Sequence, residues 1–182
     1  DSDSGQEGQY EDLNQDTTST PDFTLGDAME IHIVNYDTDY KTNPKPDANY
    51  FSLGVLVEAN GKRAFLSGDI NNYEGTETAL AEQLGSVDIL TLGHHGYYGS
   101  NTYSYITRLD PEIMVIAGTY SGISNKSMNG ESGTLDTLIA MGEKGSKFYA
   151  TEWYHDSLPA LIFNFDRNLT SNIPDGLGFI GA

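Results

Sequence analysis

Three observations predict an α/β domain, a mixed sheet with crossover helices. Short apolar runs bounded by turn residues recur along the chain, stretches of helical periodicity separate the later runs, and Asn60-Gly61 joins two of the earlier ones. At 182 residues the chain suits one domain with a sizeable core.

The elements follow in order. Residues 1–22 are acidic, rich in Ser, Thr, Gln and Gly, and almost without large aliphatic side chains; such a stretch cannot offset its ordering entropy by burial and reads as a tail or linker. The foldable part is 23–166. Phe23 to Gly26 leads into Met29 to Tyr36, where Met29, Ile31 and Ile33 alternate with Glu30, His32 and Val34 as a strand does; His32 falls on the more polar face and reads as solvent-facing or supporting, not as a metal ligand. Residues 37–49 form a loop by their prolines and turn formers. Ser52 to Ala59 and Lys62 to Ser67 flank Asn60-Gly61, whose two residues accept the positive φ of a type I′ turn, so the pair is a hairpin.

Tyr73 to Leu84 reads as a helix, with Ala79, Leu80, Ala81 and Leu84 inward, Glu74, Glu77 and Glu82 outward, and Gly85 as its stop. Val87 to Leu92 is a buried strand. Ser100 caps a second helix, Asn101 to Leu109, which Asp110-Pro111 ends. Ile113 to Ala117 is a strand, Ser132 caps a third helix over Thr134 to Met141, and Lys147 to Thr151 and Leu158 to Phe165 are strands. Residues 167–182 read as a C-terminal tail.

Composition narrows the function. Twenty-seven acidic against nine basic residues give a formal charge of −18, a field that repels polyanions, so nucleic acid is excluded as a partner and a small-molecule substrate is favoured. No apolar run is long enough to span a membrane. The absence of cysteine removes disulfides, thiolate metal sites and cysteine nucleophiles, and suits an exported bacterial protein at the cell surface or outside it, with the cytoplasm as the alternative.

Two strings carry chemistry. Ser67-Gly68-Asp69 and Gly93-His94-His95-Gly96 each follow a strand, and a helix lies between the two strands. A strand, helix, strand unit makes the strands parallel and brings their C-terminal ends to one edge, so a carboxylate and two imidazoles can meet there. An Asp and a His suit zinc, iron or manganese, but two protein ligands are one fewer than a catalytic zinc site uses. Asp69 has a second oxygen with which to bridge a second ion, and a pair of ions activates water for attack at phosphorus or carbonyl carbon. One histidine would then serve as ligand and the other as its support or as acid to the leaving group. Tyr97, Tyr98, Trp153 and Tyr154 are candidates for an aromatic cage around a quaternary ammonium. His155 reads as a surface histidine.

V-E-A-N-G-K-R-A-F-L-S-G-D followed by V-D-I-L-T-L-G-H-H-G resembles the second half of the metallo-β-lactamase superfamily. The nearest branches are the domain attached to bacterial DNA-uptake (competence) channel proteins and the phosphorylcholine esterase type. The likeness extends from about Phe23 to Asp166. It implies half of an αββα sandwich and a phosphoesterase-like, metal-dependent hydrolase with two divalent metal ions, zinc above iron or manganese. By the same likeness Asp69 matches the bridging acid and His95 a late histidine ligand. His94 matches a neighbour acting on substrate or proton, and Asn49 and Ser52 match residues near the site. The family's H-x-H-x-D-H string is absent from these residues, so the resemblance implies a fragment inactive alone, which needs its N-terminal half or a second copy to cover the sheet. The alternatives are a non-catalytic interaction module with a degenerate site, and a hydrolase of acyl or lactone bonds.

Overall fold

The computed structural model describes residues 22–35, 45, 47–126, 130–154, 160–165 and 169–172, of which 120, 153, 154 and 170 by their backbone alone. Seven strands form one mixed sheet in sequence order: β1 (Asp22–Leu25), β2 (Met29–Val34), β3 (Gly54–Ala59), β4 (Lys62–Leu66), β5 (Ile89–Thr91), β6 (Ile113–Ile116) and β7 (Lys147–Ala150). The first four are an antiparallel meander, and β4 to β7 are parallel. Parallel neighbours require crossovers, supplied by α1 (Thr76–Leu84), α2 (Tyr103–Leu109) and α3 (Thr134–Glu143). The architecture is the α/β class the sequence predicts.

Register explains the layering, because residues paired across strands share a face. One cross-sheet row runs Asp22, His32, Leu56, Phe65, Leu90, Met114 and Phe148. From Leu56 onward this row packs with Leu80, Ala81 and Leu84 of α1, Ile106 and Leu109 of α2, and Leu138 and Met141 of α3 in the main core. Phe65, Leu90, Ile106 and Met114 are fully buried there, each contributing roughly 1.5–3 kcal/mol of transfer free energy. The neighbouring row, Phe23, Ile31, Val57, Ala64, Ile89 and Ile113, faces the other way. Its β4 to β6 end is covered by Leu161, Phe163, Phe165 and Leu169 around a short ribbon, β8 (Phe163–Asn164) with β9 (Thr170–Ser171). On that face Phe23 and Leu25 of β1, and Leu66 at the end of β4, remain exposed.

The Asn60-Gly61 hairpin forms as predicted, both residues having positive φ. Four elements differ from expectation. β1, a lead-in by its sequence, pairs along its whole length with β2. α1 begins at Thr76, three residues late, because Glu74 and Gly75 take positive φ, and Glu77 is buried, not outward. α2 begins at Tyr103; Asn101 has φ 61° and the Ser100 hydroxyl donates to the Gly93 and Tyr97 carbonyls, so Ser100 does not cap it. The cap position of α3 is Gly133, one residue after Ser132.

At the C-terminal end, only Phe163–Asn164 of the expected Leu158 to Phe165 strand is extended among the described residues, and it lies outside the main sheet. Leu169, expected in a tail, packs against the sheet. Residues 1–21 and 173–182 of the expected tails, much of the 37–46 loop, and His155 lie outside the described residues. Among the described residues no helix is long and apolar enough to cross a membrane.

Candidate functional site

The four parallel strands end on one edge, and the loops that follow them meet there. Gly68, immediately after β4, adopts φ 55°, and a Cβ at this position would lie 2.8 Å from the Leu53 carbonyl oxygen; only glycine makes this turn without strain. The Gly68 carbonyl accepts from the His94 amide at 2.9 Å, so the two sequence strings are joined through their backbones. Ser67 locks the same corner, its amide donating to Thr91 Oγ1 and its hydroxyl to the Thr91 carbonyl.

His94 and His95 both sit in left-handed backbone, at φ 46° and 51°, which costs roughly 1–2 kcal/mol per non-glycine residue. The flanking residues hold them there. Gly93 donates its amide to Asn101 Oδ1 at 2.8 Å, and its carbonyl accepts from Asn101 Nδ2 and Ser100 Oγ. A Cβ on Gly93 would lie 2.7 Å from the Ile70 carbonyl oxygen. Asn101 and Glu77 are both fully buried, and the Glu77 carboxylate accepts the amides of Asn101 and Thr102 and the Thr102 hydroxyl. Burial pushes the Glu77 pKa up, opposed by those hydrogen bonds. An α1 carboxylate thus fastens the start of α2, and Asn101 passes that support to the histidine loop.

The side chains converge. His95 Nε2 lies 3.4 Å from Asp69 Oδ1, with the two side chains 59% and 44% exposed. The other ring nitrogen of His95, Nδ1, is 2.5 Å from the Ala117 carbonyl oxygen. That oxygen only accepts, so Nδ1 carries the hydrogen and the neutral ring has its lone pair at Nε2, on the Asp69 side. A separation of 3.4 Å is long for a hydrogen bond. It matches the span of about 3.3 Å between two ligand atoms each about 2.05 Å from one tetrahedral zinc. The spacing suits two ligands of one ion, and among the described residues no third His, Asp or Glu ligand atom joins them.

His94 belongs to a different chain of contacts. Its Nδ1 lies 2.9 Å from Asn71 Oδ1, Asn71 Nδ2 donates to the Tyr73 hydroxyl, and Tyr73 donates to Asp47 Oδ2. The Tyr73 hydrogen bond, with a second from the Asn49 amide, holds Asp47 below the usual carboxylate range. Desolvation and the same carboxylate push Tyr73 up. An amide does not pass protons on, so this chain orients the His94 ring and leaves Nε2 available. His94, His95, Tyr97, Thr119 and Gly122 line a cavity of about 220 Å³.

The weaker sequence candidates also fall near this edge. Ser52 Oγ accepts the Asp69 amide at 2.9 Å and so supports the acid's backbone. Asn49 acts through its backbone, donating to Asp47 and accepting from Ser52. Tyr97 lies 5.2 Å from the His94 ring, and Lys126 stands 5.6 Å over the Tyr98 ring, so one member of the expected cage already faces a cation. A larger cavity of about 350 Å³, lined by Met29, Asn60 and Lys62 among others, lies at the opposite strand ends. The chemistry-bearing residues are at the C-terminal edge, where open α/β sheets bind ligands.

Sequence reasoning missed Asp47, Asn71, Tyr73, Glu77, Asn101 and Ala117. A signal existed for one of them: Glu77, Leu80, Ala81 and Leu84 have the spacing of a single buried helix stripe.

The chain matches no protein-family model. It is 28% identical over 93 residues to ComE operon protein 3 of Bacillus subtilis (strain 168), a stretch covering 50% of this chain and 12% of that protein. The chain therefore corresponds to a small part of the length of this relative.

Proposed function

We propose that this chain is part of a metal-dependent hydrolase of the metallo-β-lactamase type, acting on a phosphoester of a small molecule. The observation that carries the reading is the Asp69 and His95 pair, 3.4 Å apart on a loop edge, with the histidine tautomer set by Ala117. Zinc, or iron or manganese, would be held by Asp69 and His95 together with ligands from outside the described residues. Bound there, the metal supplies Lewis acidity and an activated water. Asp69 presents one oxygen to His95 and has a second for another ion. His94, oriented by Asn71, faces the cavity as the group that handles substrate or proton at Nε2.

The partial match to a much longer protein supports a module within a larger chain. The exposed Phe23 and Leu25 of the edge strand β1 offer a surface for the remaining half or a second copy.

The test is metal content and turnover of the purified full-length protein, wild type beside Asp69→Ala and His95→Ala. A fall in bound metal in both variants relative to wild type, with loss of phosphodiester hydrolysis, and little lactone hydrolysis in the wild type, is the expected result. Metal content unchanged in both variants refutes the site. Metal-dependent lactone cleavage without phosphodiester cleavage refutes the substrate class.

A further inference from the structure

A second group of ligand atoms lies away from the loop edge, on strands β1 to β3. We propose that Glu30, His32 and Glu58 bind a divalent transition-metal ion that staples the edge strand β1 to the sheet. Their ligand atoms all lie within 4.8 Å of one another. His32 Nε2 is 3.7 Å from Glu30 Oε2 and 3.8 Å from Glu58 Oε2. Its Nδ1 is 2.9 Å from Asp22 Oδ1. A carboxylate oxygen accepts, so Nδ1 carries the hydrogen and Nε2 is directed at the two glutamates. This is the carboxylate, histidine, metal arrangement that fixes tautomer and ring orientation in metal sites.

Geometry and charge both favour an ion. Two ligand atoms on one tetrahedral ion at about 2.05 Å stand about 3.3 Å apart, so each nitrogen to oxygen distance closes by only about 0.4 Å on binding. The glutamates are long and part-exposed, and swing that far at little cost. Three carboxylates, Asp22, Glu30 and Glu58, surround one imidazole. The nearby cation is Arg63, whose Nε is 2.5 Å from the other Glu58 oxygen, Oε1, and whose Nη1 donates to the Leu84 and Ser86 carbonyls at the end of α1. Glu58 Oε2, on the His32 side, is the oxygen left for the ion among the described residues. Asp22, His32 and Glu58 line a cavity of about 270 Å³ against Gln83 and Leu84, room for water at a fourth position. An imidazole with two carboxylates selects zinc or a similar ion over calcium.

The site spans the strands that need it. All four residues of β1 are exposed, and Phe23 and Leu25 face away from the helix layer, so pairing with β2 is what holds the strand. Through Asp22 on His32, and Glu58 on β3, an ion ties β1, β2 and β3 together.

The experiment is a zinc titration of the full chain carrying Asp69→Ala and His95→Ala, which removes the loop-edge pair and makes the outcome independent of the hydrolase reading. Calorimetry should give one equivalent of zinc and no calcium binding. In the same background His32→Ala should abolish binding, Glu58→Gln weaken it at least tenfold, and Asp22→Asn weaken it about 10–100-fold. Circular dichroism of each variant excludes misfolding. Zinc should slow amide hydrogen exchange of residues 23–25 in the background protein and leave it unchanged in the His32→Ala form. No zinc bound by the background protein, or an affinity in His32→Ala within threefold of it, overturns the proposal.

Discussion

Asn101→Ala removes the residue on which the histidine loop hangs. The side chain is fully buried, accepts the Gly93 amide at 2.8 Å, and donates to the Gly93 carbonyl and to Ser100 Oγ. Alanine leaves the Gly93 amide buried and unpaired, which costs roughly 1–3 kcal/mol. The Gly93 carbonyl keeps the Ser100 hydroxyl as a donor, so its loss is partial. Asn101 also sits at φ 61°, a conformation asparagine tolerates better than alanine, adding about 1 kcal/mol. The sum is about 3 kcal/mol, a large share of the roughly 5–15 kcal/mol that stabilises a domain. For a chain of this size each kcal/mol moves Tm by about 2–4 °C, so the variant should melt about 6–12 °C below wild type. Urea denaturation followed by circular dichroism measures it. A loss under about 1 kcal/mol would mean that the loop takes its shape without Asn101, and the chain of support from Glu77 to His94 would fall.

Two further outcomes follow from the same contacts. Glu77 has its pKa raised by burial, so protonation favours the folded state: the contribution is full below the ordinary value of 4.5 and is lost as pH rises through the folded value. Glu77→Gln is fixed neutral, and the difference in unfolding free energy, wild type minus variant, should fall as pH rises from 4 toward 8; a flat or rising difference contradicts the buried carboxyl. Asn71→Ala frees the His94 ring without touching Asp69 or His95, so metal content should hold while phosphodiester turnover drops at least tenfold. Loss of metal in that variant would move His94 from orienting substrate to binding the ion.

Much of the fold is legible because its signals are local. Asn60-Gly61 declares a hairpin through two residues that tolerate positive φ, and the apolar runs ending at Ser67 and Leu92 declare parallel neighbours through the helix between them. That adjacency brings Asp69 and His95 together from 26 positions apart. What stays hidden depends on partners distant in sequence. Glu77 was read outward by its polarity, although its spacing with Leu80, Ala81 and Leu84 puts it on the buried stripe; its acceptable burial depends on amides at 101 and 102. β1 is only four residues long, its Asp22-Phe23-Thr24-Leu25 alternation buries none of its side chains, and it exists by pairing with β2 across the Gly26 turn. Asp47 and Asn71 carry no motif; Asn71 meets His94 directly, Asp47 reaches it through Tyr73 and Asn71, and both ties are purely tertiary.

The central claim is that Asp69 and His95 hold one ion between them. Metal content of the full-length protein, purified without added metal and compared with Asp69→Ala and His95→Ala, tests it most directly. The account predicts that each single variant loses the metal associated with hydrolysis while keeping its fold by circular dichroism. Both variants retaining wild-type metal and turnover would contradict it.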